Sequence, residues 1–292
     1  MLDRSAAPEG GPPERQPIFN VPASVVAVLA VLVAVHVGRQ VLPAGWDEAL
    51  FTHLAFVPGR LSYWFEPGRV VDALVAVARR GADGYRQAQD DRFFLGTGTP
   101  QPWTTVGYAL LHADTAHILL NGVWLLAFGT PVARRFGPWR FLALLAVTAW
   151  AGAVAYWAAH PLDLIPIIGA SAAVSGCMGA ALRFSFRPTF AAADLLAADA
   201  HARRQADARS APPLRDVLRN RRALAFLVAW FATNLVFGLG SLPLGLASGP
   251  IAWEAHIGGF LAGLLLFPLL DPVRHGGSEA APSPPPRDAA EP

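Results

Sequence analysis

Three short segments of this 292-residue chain set reactive polar side chains into apolar surroundings. The first is His112-Ala-Asp114-Thr115-Ala-His117-Ile-Leu-Leu-Asn121. His117 and Asn121 are i,i+4 and share a helix face. Asp114 or Thr115 can cap that helix. The second is Pro166-Ile-Ile-Gly169-Ala170-Ser171-Ala172-Ala173-Val174-Ser175-Gly176. Gly169 permits a tight turn into a helix. Ser171 then falls near a helix N-terminus, where free N–H groups and the helix dipole favour developing negative charge. That setting suits a nucleophile whose attack creates an oxyanion. Ser175, one turn deeper on the same face, is the rival nucleophile. The third is Trp253-Glu254-Ala255-His256-Ile-Gly258-Gly259-Phe-Leu-Ala-Gly263. Here a histidine lies about two turns inside an apolar run, with Gly259 and Gly263 on roughly its own face.

Each segment alone has a bland reading. Polar side chains often only join membrane helices, and small residues only let them approach. Together the segments offer the parts of a nucleophile–base pair. Two small-residue stripes, Ser171/Ser175/Gly179 and His256/Gly259/Gly263, could pack and bring a serine to the imidazole. Glu254 is about 200° round the helix from His256, so it should point away, leaving a Ser–His dyad without a buried carboxylate. No His-Glu-x-x-His zinc motif occurs, and no acid or thiolate is placed with His112, His117 and His256. No metal and no cofactor are expected.

The elements that must hold these groups are membrane spans. The chain is 53% hydrophobic and 15% charged, against about 25% charged in soluble domains. Six apolar stretches approach the roughly 20 residues a span requires. They begin near Val21, Thr115, Trp139, Ile167, Ala223 and Pro250. The expected fold is an all-α membrane protein: a six-helix membrane domain over 21–272 between disordered tails at 1–20 and 273–292. A long first loop covers 43–103, and an Arg-rich loop 187–221. Within the first loop, 70–78 is too short to cross and reads as an interfacial piece. Cys177, the single cysteine, excludes an internal disulfide framework.

Arginine placement sets the orientation. Arg4 and Arg15 precede the first stretch, Arg134, Arg135 and Arg140 follow the second, and eight arginines follow the fourth. The short connections after the third and fifth carry none. Both termini are therefore expected in the cytoplasm, and all three polar clusters fall in the outer third of the bilayer. Trp103, Trp157 and Trp253 fit an outer aromatic belt, with Trp139 at the inner one. The basic pI near 9.1 comes from a few Arg-rich loops and does not point to nucleic acid.

His117-Ile-Leu-Leu-Asn121, Gly169-Ala-Ser171-Ala and Ala255-His256-Ile-Gly-Gly259 resemble, in order, the signature segments of the rhomboid intramembrane serine proteases. The resemblance spans roughly residues 100–270 and implies a six-transmembrane-helix rhomboid-like bundle. It implies Ser171, rather than Ser175, as nucleophile and His256 as general base. It implies an oxyanion hole of His117, Asn121 and the Ser171 amide, with His112 and Gly169 in support. The implied substrates are membrane proteins with a transmembrane segment, cleaved near the outer face of what is expected to be a bacterial inner membrane. Many members carry Gly where this chain has Ala172, which adds a methyl beside the nucleophile. The other reading is a catalytically silent relative that binds client membrane helices, and it would require a broken Ser–His pair. Oligomeric state is not readable from the sequence.

Overall fold

A computed structural model describes residues 21–186, 211–238 and 252–273. The expected tail at 1–20, the expected tail at 273–292 apart from Val273, and most of the loop 187–221 lie outside those residues. Among the described residues the chain is helical. Its only extended pairing is an isolated antiparallel bridge between Phe56 and Ile167.

Helix α1 (Ala23–Val41) starts after Pro22 and stops before Pro43. The first loop folds into four helices: α2 (Ala44–Leu54), α3 (Pro58–Phe65), α4 (Pro67–Ala78) and α5 (Ala82–Leu95). The expected piece at 70–78 is the body of α4. These helices close over a small core of Val57, Val70 and Leu95, which Leu164 joins from beyond the membrane helices. Arg60 is buried among them. It donates to the carbonyls of Thr52 and Phe94 and to Gln101 Oε1. Burial lowers the pKa of its guanidinium, since desolvation disfavours the charged form.

After a short turn, α6 (Thr104–Gly107), come α7 (Thr115–Trp124) and α8 (Thr130–Ala159), joined by a π-helical turn at Leu125–Gly129. Gly137, at φ 75° and ψ 171°, breaks α8. Only glycine enters that backbone region easily, and Pro138 follows it. This break divides the second expected stretch from the third. Helix α9 (Ser171–Ser185) is central: every residue from Ala172 to Phe184 is buried. Then follow α10 (Leu214–Arg219), α11 (Arg221–Gly238) and α12 (Trp253–Leu270).

Among the described residues three helical stretches are long and apolar enough to cross a bilayer: Ala23–Val41, Thr115–Ala159 and Trp253–Leu270. The fourth expected stretch yields a helix of 15 residues, about 22 Å at 1.5 Å per residue. It is wrapped by protein and does not need a lipid-facing surface.

Helices α9 and α12 meet at backbone distance. A Cβ on Gly259 would strike the Ala172 carbonyl, one on Gly263 the Gly176 carbonyl, and one on Gly179 the Phe260 carbonyl. The α12 stripe is the expected one. On α9 the contact runs through the expected Gly179 and through Ala172 and Gly176, which stand one position on from the expected Ser171 and Ser175. That offset turns Ser171 off the contact line, where its Oγ meets His256. At the far end, Arg135 and Asp271 form a buried bidentate ion pair at 2.9 and 2.8 Å. Arg135 also lies over the rings of Phe184 and Phe267, so α8, α9 and α12 are tied together there.

Candidate active site

Ser171 is the first residue of α9, reached through an extended segment held on both sides. Phe56 and Ile167 exchange backbone hydrogen bonds at 3.3 and 2.9 Å, and Gly169 N–H donates to the Tyr108 carbonyl at 3.0 Å. The Tyr108 hydroxyl donates in turn to the Ala149 carbonyl of α8 at 2.9 Å. Gly169 sits at φ +119°, and a Cβ there would overlap the His117 imidazole. Both facts require glycine at that position. The helix therefore begins at Ser171, not at Ile167, and its first N–H groups lack helix-internal partners.

On α12, His256 falls in the first helical turn, shallower than the two turns expected, because the helix starts at Trp253. Its Nε2 lies 2.7 Å from Ser171 Oγ. Its Nδ1 lies 2.6 Å from Asn234 Oδ1 on α11. Both ring nitrogens are thus engaged, leaving none for Ser175, which is buried one turn deeper. Ser171 and His256 are half-buried, so the pair is reachable. Glu254 points away, as the helical angle predicts, and contacts His160 at 2.9 Å.

Helix α7 supplies the opposite wall. Asp114 caps it, accepting from the His117 N–H at 2.8 Å. The Ala113 N–H donates to His117 Nδ1 at 3.4 Å. An acceptor Nδ1 places the proton of the neutral ring on Nε2, the nitrogen that faces Gly169. The ideal Cβ position of Gly169 is 2.7 Å from His117 Nε2 and 3.8 Å from Ser171 Oγ. The imidazole N–H and the serine oxygen therefore border the same small space. Asn121 is buried one turn on. It donates one amide hydrogen to the His117 carbonyl at 3.0 Å, which leaves its second N–H for another acceptor. His112 packs edge-on against His117 with centroids 5.0 Å apart. Its ring is buried, with the Leu110 backbone as its hydrogen-bonding neighbour.

The extra methyl of Ala172 has a matching space. It faces Gly152 of α8, where any Cβ would collide with it. Asn234 was not among the residues singled out from sequence. The available signal was a lone amide in an apolar run, since polar groups inside a bilayer invite a functional hypothesis.

The family model of the Rhomboid domain matches residues 99–271, more than half of the chain. The chain belongs to the rhomboid family. Among its relatives is the rhomboid protease GluP of Bacillus subtilis (strain 168), 35% identical over 80 residues, which are 27% of this chain and 15% of GluP. Another from the same organism is YdcA, whose name carries the rhomboid protease assignment in provisional form. It is 32% identical over 85 residues, 29% of this chain and 42% of YdcA. The chain thus spans less than half the length of either relative. Family membership and the apolar helices make this rhomboid an integral membrane protein. Among the described residues, no group of three or more His, Cys, Asp or Glu side chains is arranged to hold a metal.

Proposed function

We propose that the chain is an intramembrane serine endopeptidase that cleaves transmembrane segments of membrane-protein substrates by a Ser171–His256 dyad. The observation that carries this reading is the 2.7 Å contact of Ser171 Oγ with His256 Nε2 at the start of α9. Family membership and relatives named as proteases support it.

In this reading His256 takes the Ser171 proton as the oxygen attacks a peptide carbonyl. The developing oxyanion lies beside the free N–H groups that open α9 and the Nε2–H of His117. Asn121 adds its second amide hydrogen. His256 then protonates the leaving amine, and water resolves the acyl-enzyme. A donor lost from such a hole costs about 10²–10³ in rate. A substrate helix hides its carbonyls in i→i−4 bonds, so spans that unwind easily, through Gly, Pro or small residues, are the expected substrates. We place six spans across a bacterial inner membrane, with both termini cytoplasmic and the site in the outer leaflet.

The test is cleavage of a model membrane substrate by the purified protein in proteoliposomes. Ser171→Ala and His256→Ala should each abolish cleavage while the protein stays folded. A serine-directed fluorophosphonate should label the wild type and not Ser171→Ala. Cleavage that persists in purified Ser171→Ala would refute the reading.

A further inference from the structure

The contact between His256 and Asn234 assigns a role to a residue outside the dyad. The Asn234 Nδ2 donates to the Trp230 carbonyl at 2.9 Å. A carbonyl only accepts, so this bond fixes the amide with its oxygen towards the imidazole. That oxygen also only accepts, and it lies 2.6 Å from His256 Nδ1. Nδ1 must therefore carry the ring proton. The neutral imidazole then presents its lone pair at Nε2, where the Ser171 hydroxyl donates. Asn234 is itself 8% exposed. Its helix is held by Trp230 stacked on Phe260 of α12, with centroids 4.4 Å apart and planes at 25°. The amide is thus braced before it meets the histidine.

We propose that Asn234 is a positioning residue for the base: it selects the tautomer of His256 and fixes the ring's rotation towards Ser171. The proposal rests on the Ser171–His256 reading. An amide holds the ring without adding charge. The ionisable groups around the ring are few. His117 bears on it electrostatically from α7, Ser171 faces it from α9, and Glu254 on its own helix is turned to His160. An Asn234→Asp carboxylate would therefore act on the imidazolium with little competition.

The experiment compares wild type, Asn234→Leu and Asn234→Asp in proteoliposomes, with Ser171→Ala and His256→Ala as controls. Asn234→Leu keeps the number and branching of the side-chain heavy atoms and removes the acceptor. Its kcat should fall about 10²-fold, the scale of a small misplacement of a reacting group, with KM little changed. Asn234→Asp should retain at least about tenfold more kcat than Asn234→Leu, because it keeps the acceptor. Its rate should also need higher pH, since a carboxylate stabilises the charged imidazole and the base must be neutral to act. Nitrogen NMR on histidine-labelled protein should show His256, identified by its loss in His256→Ala, protonated at Nδ1 in wild type and mixed in Asn234→Leu. Wild-type kcat, pH profile and tautomer in Asn234→Leu would overturn the proposal while leaving the dyad intact. Cleavage by either control would overturn the dyad itself. Should Asn234→Leu fail to fold, the pH profile of Asn234→Asp decides: an unmoved profile rejects the role.

Discussion

Helix α12 has two very different neighbours. Towards α9 it meets backbone: Gly259 and Gly263 rest on the carbonyls of Ala172 and Gly176, with no side chain between. Towards α11 it leaves a groove of about 450 Å³ whose walls include Leu224, Val228, Phe231 and Leu235 on one side and Trp253 and Ile257 on the other. The rings of Trp230 and Phe231 against Phe260 and the Asn234–His256 bond bridge that second face. The first face sets the distance between Ser171 and His256 by backbone contact, which a core of side chains could not hold so narrowly. The second face meets the His256 ring through a single amide, that of Asn234. The spacing and the ring contact thus come from separate surfaces of one helix.

The sharpest way to break this contrast is Gly259→Val. The new side chain would run into the Ala172 carbonyl, next to the nucleophile, and force α9 and α12 apart. Cleavage should fall at least about a hundredfold, since a displacement of 1 Å near reacting atoms costs that much. Rates in proteoliposomes, alongside thermal melts, would read it.

A smaller effect is expected where α8 meets the same surface. Gly152→Ala would press a methyl against Ala172, the Ala255 carbonyl and the Tyr108 hydroxyl, costing about 1–3 kcal/mol as overpacking. Adding Ala172→Gly should recover part of that loss. The double-mutant cycle should then show a coupling of at least about 0.5 kcal/mol by thermal or denaturant melts. Additive effects would mean that the two residues do not share the space.

The least effect belongs to the groove. Val228 is 65% exposed within the protein. Val228→Ala should leave stability within about 0.5 kcal/mol and cleavage unchanged, by the same melts and rates. A large loss would mean that the α11 face is packed more firmly than its groove indicates.

The sequence carried most of the site because its chemistry is rare in an apolar setting. Ser171, His256 and His117 stand out by type, and their helices bring them to one place. Glu254 was excluded by helical angle alone, and its contact with His160 agrees. Resemblance, rather than spacing, separated Ser171 from Ser175, and it is the ring geometry of His256 that engages the former. The register of α9 against α12 was not legible. Ala172, Ala173, Ser175, Gly176, Gly179 and Ala180 are all small, so several stripes satisfy the same pattern. Only the crossing of the two helices chooses among them. Asn234 was missed for a related reason. It sits 22 residues from its partner, on a helix with no other reactive cluster, and an amide alone does not announce a base. The four-helix build of the first loop was mostly hidden as well. Its helices are short, and Arg60, which holds them, reads in sequence as one more loop cation.

That first loop has a consequence for how the molecule is divided. The family domain begins at residue 99, yet Phe56 and Gly59 donate backbone hydrogen bonds to the segment that leads into Ser171, at the carbonyls of Ile167 and Asp163. Ser62 accepts from the Trp157 indole at 2.9 Å. Contacts that hold the segment before Ser171 therefore reach outside the matched family domain. A chain trimmed to its family domain would keep Ser171 and His256 and lose the hydrogen bonds of Phe56, Gly59 and Ser62 that brace the approach to Ser171.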